Sequence, residues 1–176
     1  MTSVCKWTPR AHVVLLILVV TLTIGLGGCT TMKSEPASEG PSSLSREEAA
    51  AESRQFSERI ARLVPGYEDD LFTENERGST LGCQLGGVTW TRGFHVRLQG
   101  PPDMEVLSRI LRDDLREETD FTVEDTQAST GDPRIIVTGP GGQSYMIEWF
   151  MGELDIDSFS RCFVLVPERD GYQWEF

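Results

Sequence analysis

An apolar run from Val13 to Ile24 ends five residues before a cysteine, in the order Leu26-Gly27-Gly28-Cys29. This arrangement divides the chain into a leader and a part that folds without it. Lys6 and Arg10 precede the run, and no acid appears before Glu35. Only Thr21 and Thr23 break the aliphatic character of the run. A transmembrane helix needs about 20 apolar residues, so the segment matches the core of an export signal better than a span. Small residues just before the cysteine leave room for a peptidase and let the thiol reach a membrane-embedded acyltransferase. The pattern predicts a lipoprotein signal peptide over residues 1–28, cut so that Cys29 becomes a lipid-bearing N-terminus. The rival reading is an uncut anchor with Cys29 unmodified. Lipid anchoring gains roughly 0.8 kcal/mol per buried methylene, so two or three chains hold a protein firmly.

Cleavage would leave 148 residues, the length of one ordinary domain. The whole chain carries 16 Lys and Arg against 28 Asp and Glu. Lys6 and Arg10 depart with the leader and no acid does, so 14 basic residues remain against 28 and the net charge becomes −14. Such a charge repels nucleic acid and anionic headgroups. No nucleic-acid partner is expected.

Of four cysteines, Cys5 leaves with the leader and Cys29 takes lipid, which leaves Cys83 and Cys162. In an exported compartment a disulfide between them is the default. Two free thiols or a metal pair are the alternatives. Neither cysteine belongs to a CxxC, and His95 is the only histidine after the leader, which disfavours zinc.

Residues 30–44 are rich in Ser, Glu, Pro and Gly and read as a flexible tether of roughly 20 Å average reach. Ser45 and Glu48 form a capping box opening a helix, with Phe56, Ile60, Leu63 and Val64 on one face and Pro65-Gly66 as its stop. Tyr67 to Gly87 has loop composition. Val88 to Leu98 alternates as a strand, which Arg92-Gly93 interrupts as a bulge would. His95 falls on the polar side of that strand, where a surface role outweighs a catalytic one. Asp103 caps a second helix with Leu107, Ile110, Leu111 and Leu115 inside, and its outer face mixes Arg109, Arg112 and Arg116 with acids. Four strands are then predicted: Phe121–Asp125, Arg134–Thr138, Ser144–Met151 and Arg161–Val166. Gly139-Pro140-Gly141-Gly142 makes the hairpin turn between the second and third. Tyr145 to Met151 is apolar on both faces and is expected at the sheet's centre. The tail from Pro167 to Phe176 is turn-rich, with Trp174 and Phe176 as docking aromatics.

The expected fold is α+β: an antiparallel sheet of about five strands with two helices packed on one face, in the order α-β-α-β-β-β-β. The single domain spans residues 45–176, stapled by Cys83 and Cys162.

The chemistry-bearing motifs are missing. Gly139 to Gly142 lacks the Lys and following helix of a phosphate loop. The acidic clusters, Asp155 with Asp157 among them, lack calcium-loop spacing and read as solvated faces. No G-x-S-x-G or meaningful Ser-His-Asp order occurs. The expectation is no catalytic, cofactor or metal residue, no cofactor and no enzyme activity.

The chain resembles the LppA-type lipoproteins of mycobacteria and related actinobacteria. The resemblance rests on Cys29, Val64-Pro65-Gly66, Arg77-Gly78 with Cys83, the helix from Asp103 to Glu118, and Cys162-Phe163-Val164-Leu165. Arg161 stands where that family has an acid. The resemblance implies a surface-anchored protein with no established activity. Three functions follow in order of expectation. The first is a lipid-anchored envelope protein on the extracytoplasmic face of the cell membrane, binding an unidentified protein or envelope component. The second is a carrier or sensor of an apolar ligand held by Tyr145 to Met151. The third is a hydrolase with paired carboxylates.

Overall fold

The computed structural model describes residues 40–172. The expected leader over 1–28, Cys29 with its expected lipidation, most of the expected tether, Trp174 and Phe176 lie outside the described residues. Among the described residues, no helix is long and apolar enough to cross a membrane.

The first helix, α1, spans Arg46–Arg62 and opens as its sequence dictates. The Ser45 side chain accepts the Glu48 N–H, and the Glu48 carboxylate accepts the Ser45 N–H. Two short strands follow, β1 (Phe72–Glu74) and β2 (Ser79–Gly82), then the long strand β3 (Val88–Val96). The second helix, α2 (Met104–Asp114), is capped by Asp103, whose carboxylate accepts the N–H groups of Glu105 and Val106. The strands β4 (Thr122–Gln127), β5 (Pro133–Thr138), β6 (Ser144–Phe150) and β7 (Glu153–Phe159) complete the sheet, and a one-turn helix, α3 (Pro167–Asp170), follows.

The seven strands form one sheet in the order β1-β3-β7-β6-β5-β4, with β2 also pairing β3. Every strand pairing is antiparallel. The fold is mixed α and β as expected, with β6 and β7 at its centre. The strand count differs from five, for three reasons. The segment from Tyr67 to Gly87 is not all loop: β1 and β2 pair successive halves of β3, each satisfying backbone groups along one edge. β7 was absent from the expected order because its acids mask an alternation, with Leu154, Ile156 and Ser158 buried between Glu153, Asp155 and Asp157. The segment from Arg161 to Val166 is not a strand. Phe163 alone makes isolated bridges, to Ser42 and Val88, and it is fully buried. Nor does Arg92-Gly93 form a bulge, since the β3–β7 register runs unbroken from Thr91 to Val96.

One core cluster unites Ile60, Ala61 and Val64 with Leu107, Leu111 and Leu115, and packs both onto Phe94, Val96, Ile135, Val137, Tyr145, Ile147, Leu154 and Ile156. Both long helices therefore cover the same face of the sheet. Phe56 stacks on Tyr145 and Phe121, with ring centroids 4.5 and 4.9 Å apart. A smaller cluster of Ala49, Trp90 and Phe163 lies beside it. Ser42 and Leu44, expected in the tether, are held against the domain: Ser42 N–H donates to the Cys162 carbonyl at 2.8 Å, and Leu44 packs on the smaller cluster.

Cys83 and Cys162 form a disulfide, closing a separation of 79 residues. It ties the β2–β3 turn to the segment that carries Phe163.

Candidate functional site

Alternation along β6 sends Tyr145 and Ile147 into the core, with Trp149 packed against it, and Met146, Glu148 and Phe150 to the opposite face. At its end the chain turns into β7 through Met151 and Gly152, both with positive φ, 50° and 94°. Positive φ at both central residues characterises type I′ hairpins, where Asn-Gly is preferred. A side chain such as Met at such a position costs roughly 1–2 kcal/mol. Met151 is also 88 % exposed, and neighbouring Phe150 is 49 % exposed. Neither backbone preference nor burial accounts for a large apolar residue at this tip.

The tip borders a groove of about 830 Å³. Pro101, Pro102 and Met104 form the wall at the start of α2; Ile135, Trp149 and Phe150 form the sheet side. Asp103, Glu105, Asp125 and Asp132 stand among its lining residues. Asp125 is engaged by Ser108 and by Arg112, which reaches it at 2.6 Å, and these contacts hold its carboxyl below the usual range. Arg112 is thus committed to β4 rather than to acids on its own helix. Glu105 and Asp132 have no ion pair among the described residues, and Arg134, the cation lining the groove, is taken by Glu148 at 2.7 Å. The groove is therefore apolar within and acidic at its rim. Its volume lies in the range of ligand-binding clefts.

The face opposite the helices carries a polar row beside Met146 and Phe150 of β6. Its register aligns His95 on β3, Asp155 on β7, Glu148 on β6 and Arg134 on β5 in one cross-strand row. Each of these side chains is a quarter exposed or less. His95 Nδ1 lies 2.7 Å from Asp155 Oδ1, and Nε2 lies 2.9 Å from Asn75 Oδ1. Asn75 reaches this position because Gly93 has no side chain; a Cβ there would stand 2.6 Å from the Asn75 amide nitrogen. Glu153 approaches the same ring nitrogen at 4.0 Å. Asp157, two residues along the same face, has its carboxyl pushed up by desolvation and by the charges of Asp155 and Glu148. Among the described residues, His95, Glu153 and Asp155 form the group whose potential ligand atoms converge, all within 4.8 Å of one another.

His95 thus sits on the polar sheet face, as its alternation indicates. Its partners Asn75 and Glu153 are 20 and more residues away in sequence, and only strand register brings them together. The apolar strand Tyr145–Met151 does line a groove at its end, while its middle is packed solid. Glu153 and Asp155 lie side by side on one strand rather than facing each other across a cleft.

No protein-family model matches the chain, and no curated protein matches it. Among solved structures, the chain is similar to a DUF4853 family protein from Actinomyces odontolyticus, at 17 % identity over 72 % of each chain with a TM-score of 0.48.

Proposed function

We propose that this chain is a cell-envelope lipoprotein, held at the extracytoplasmic face of the membrane through lipid on Cys29, whose domain binds a protein partner in the groove beside Met151. The observation that carries the binding reading is Met151 itself: a fully presented apolar side chain in a backbone conformation that disfavours it, at the mouth of an apolar groove. Unpaired Glu105 and Asp132 give the partner's chemistry: an apolar segment carrying Lys or Arg. The leader pattern and the resemblance to LppA-type lipoproteins support the address, and a disulfide suits an oxidising compartment.

A photo-crosslinking residue at Met151 or Phe150, in cells, tests this. Both positions should yield one and the same adduct, and Leu81, exposed on β2, should not. Glu105→Lys with Asp132→Lys should abolish the adduct. Equal labelling from all three positions, or none from any, would overturn the reading.

The second reading, an apolar small ligand, draws on the volume of the same groove. Native mass spectrometry of protein extracted from membranes separates the two: a co-purifying small molecule lost in Trp149→Ala favours a carrier. A hydrolase with paired carboxylates is the third reading: Glu153 and Asp155 project from one strand, so a pair flanking a scissile bond would come from the acids that line the groove.

A further inference from the structure

His95 presents both ring nitrogens to oxygen acceptors. Asn75 Oδ1 lies 2.9 Å from Nε2, where the tautomer with its hydrogen on Nε2 would donate to it. In that tautomer the Nδ1 lone pair faces the Asp155 carboxylate, 2.7 Å away. A metal ion there would take the position that a hydrogen on Nδ1 otherwise fills between the ring and the carboxylate. Glu153 brings a second carboxylate to the same nitrogen.

We propose that His95, Glu153 and Asp155 bind a divalent first-row metal ion of the zinc class. The donor set is one imidazole nitrogen and two carboxylate oxygens, which suits such ions. Neutral His95 with two carboxylates carries two negative charges, matching the ion's charge. Glu148 does not add to the count, because Arg134 neutralises it. Donor atoms around an ion at about 2.1 Å stand roughly 3.4 Å apart, so the 2.7 Å pair opens slightly and Glu153 closes from 4.0 Å. Glu153 is 39 % exposed and free to make that rotation. His95 and Asp155 are fixed directly opposite each other on paired strands, so the sheet holds two of the three ligands in place. Asn75 plays the positioning part that outer partners play at metal-bound histidines, holding the far N–H and thereby fixing the tautomer. This inference is independent of the groove, which lies at the end of β6 and shares none of the three residues.

The test is calorimetric titration of the full chain with zinc at pH 7.5, with Cys5→Ser and Cys29→Ser in the background so that no free thiol competes. One ion per chain is expected. Glu153→Gln, on a side chain 39 % exposed, should weaken binding about tenfold or more, as should His95→Gln and Asp155→Asn. Asn75→Ala should weaken it roughly 10- to 100-fold through the lost tautomer control. Nitrogen NMR of the His95 ring gives a second readout: zinc should shift Nδ1 and leave Nε2 protonated. An absence of zinc binding in a folded chain, with Nδ1 carrying a proton instead, would overturn the proposal. So would binding that survives both Glu153→Gln and His95→Gln.

Discussion

Asp170 accepts the backbone N–H of Arg46 at 3.0 Å, across 124 positions of sequence. The same carboxylate accepts the Val166 N–H at 2.8 Å and the Arg169 guanidinium at 2.8 and 2.9 Å. A side chain far along the chain therefore accepts an N–H at the start of α1, beside the local cap made by Ser45. Arg169 extends the clasp to the carbonyls of Ser43, Leu44 and Val164. Asp170 is 3 % exposed, and the hydrogen bond from Arg169 leads the contacts that hold its carboxyl down at about 2. A depressed carboxyl contributes stability that is complete above its unfolded pKa, near 3.8, and is lost as pH falls through the folded value. Asp170→Ala should cost about 2–3 kcal/mol at pH 6, measured by denaturant unfolding, because it removes charged hydrogen bonds and leaves part-buried donors without this acceptor. The cost should shrink between pH 4 and pH 2. A cost that stays constant across that interval would contradict the linkage.

Asp157 works in the opposite sense. Desolvation and the neighbouring charges of Asp155 and Glu148 raise its pKa, so ionising it opposes folding at neutral pH. Asp157→Asn should therefore raise the melting temperature at pH 7 in metal-free buffer. The gain should vanish near pH 3, where the carboxyl is protonated in both states. Scanning calorimetry at the two pH values checks it, and destabilisation at pH 7 would show that the carboxylate has a favourable partner instead.

Reduction of Cys83–Cys162 opens a loop of 79 residues. In the chain-entropy account a loop of that size is worth about 4–5 kcal/mol. Cys83→Ser with Cys162→Ser should lower stability by an amount of that order, and Phe163, which packs on Trp90 and Ala49, should lose protection first in hydrogen exchange. Unchanged exchange around Phe163 would mean that its own burial holds the segment.

Met151→Asn introduces Asn-Gly at the β6–β7 turn. This should stabilise the domain by about 0.5–1 kcal/mol, since Asn tolerates positive φ far better than Met. The same change should remove the crosslinked partner. A gain in stability with binding retained would show that Met151 is not part of the binding surface.

Much of this fold was legible where a signal was local. Ser45 with Glu48, and Asp103, marked both helix starts because caps act within three residues. The apolar stripes of α1 and α2, and the alternation of β3 to β6, follow from burial on one face. The failures have a common cause: the deciding contact was distant. β1 and β2 are short and mostly exposed, so only pairing with β3 makes them strands. β7 showed three acids on one face and only two hydrophobic residues and a serine on the other, so its alternation read as a solvated cluster. Around Cys162-Phe163 the apolar run fills a small cluster and pairs at one residue, which sequence does not distinguish from a strand. His95 was visible as a polar-face residue, but Asn75 and Glu153 reach it only through register.

The proposed anchoring through Cys29 sets where the groove beside Met151 would meet its partner. The most direct test is the mass of the N-terminal peptide of the protein recovered from membranes. The account predicts a chain beginning at Cys29 with acyl chains attached, and release of the domain into the soluble fraction in Cys29→Ala. A chain still carrying residues 1–28, with Cys29 unmodified, would contradict it.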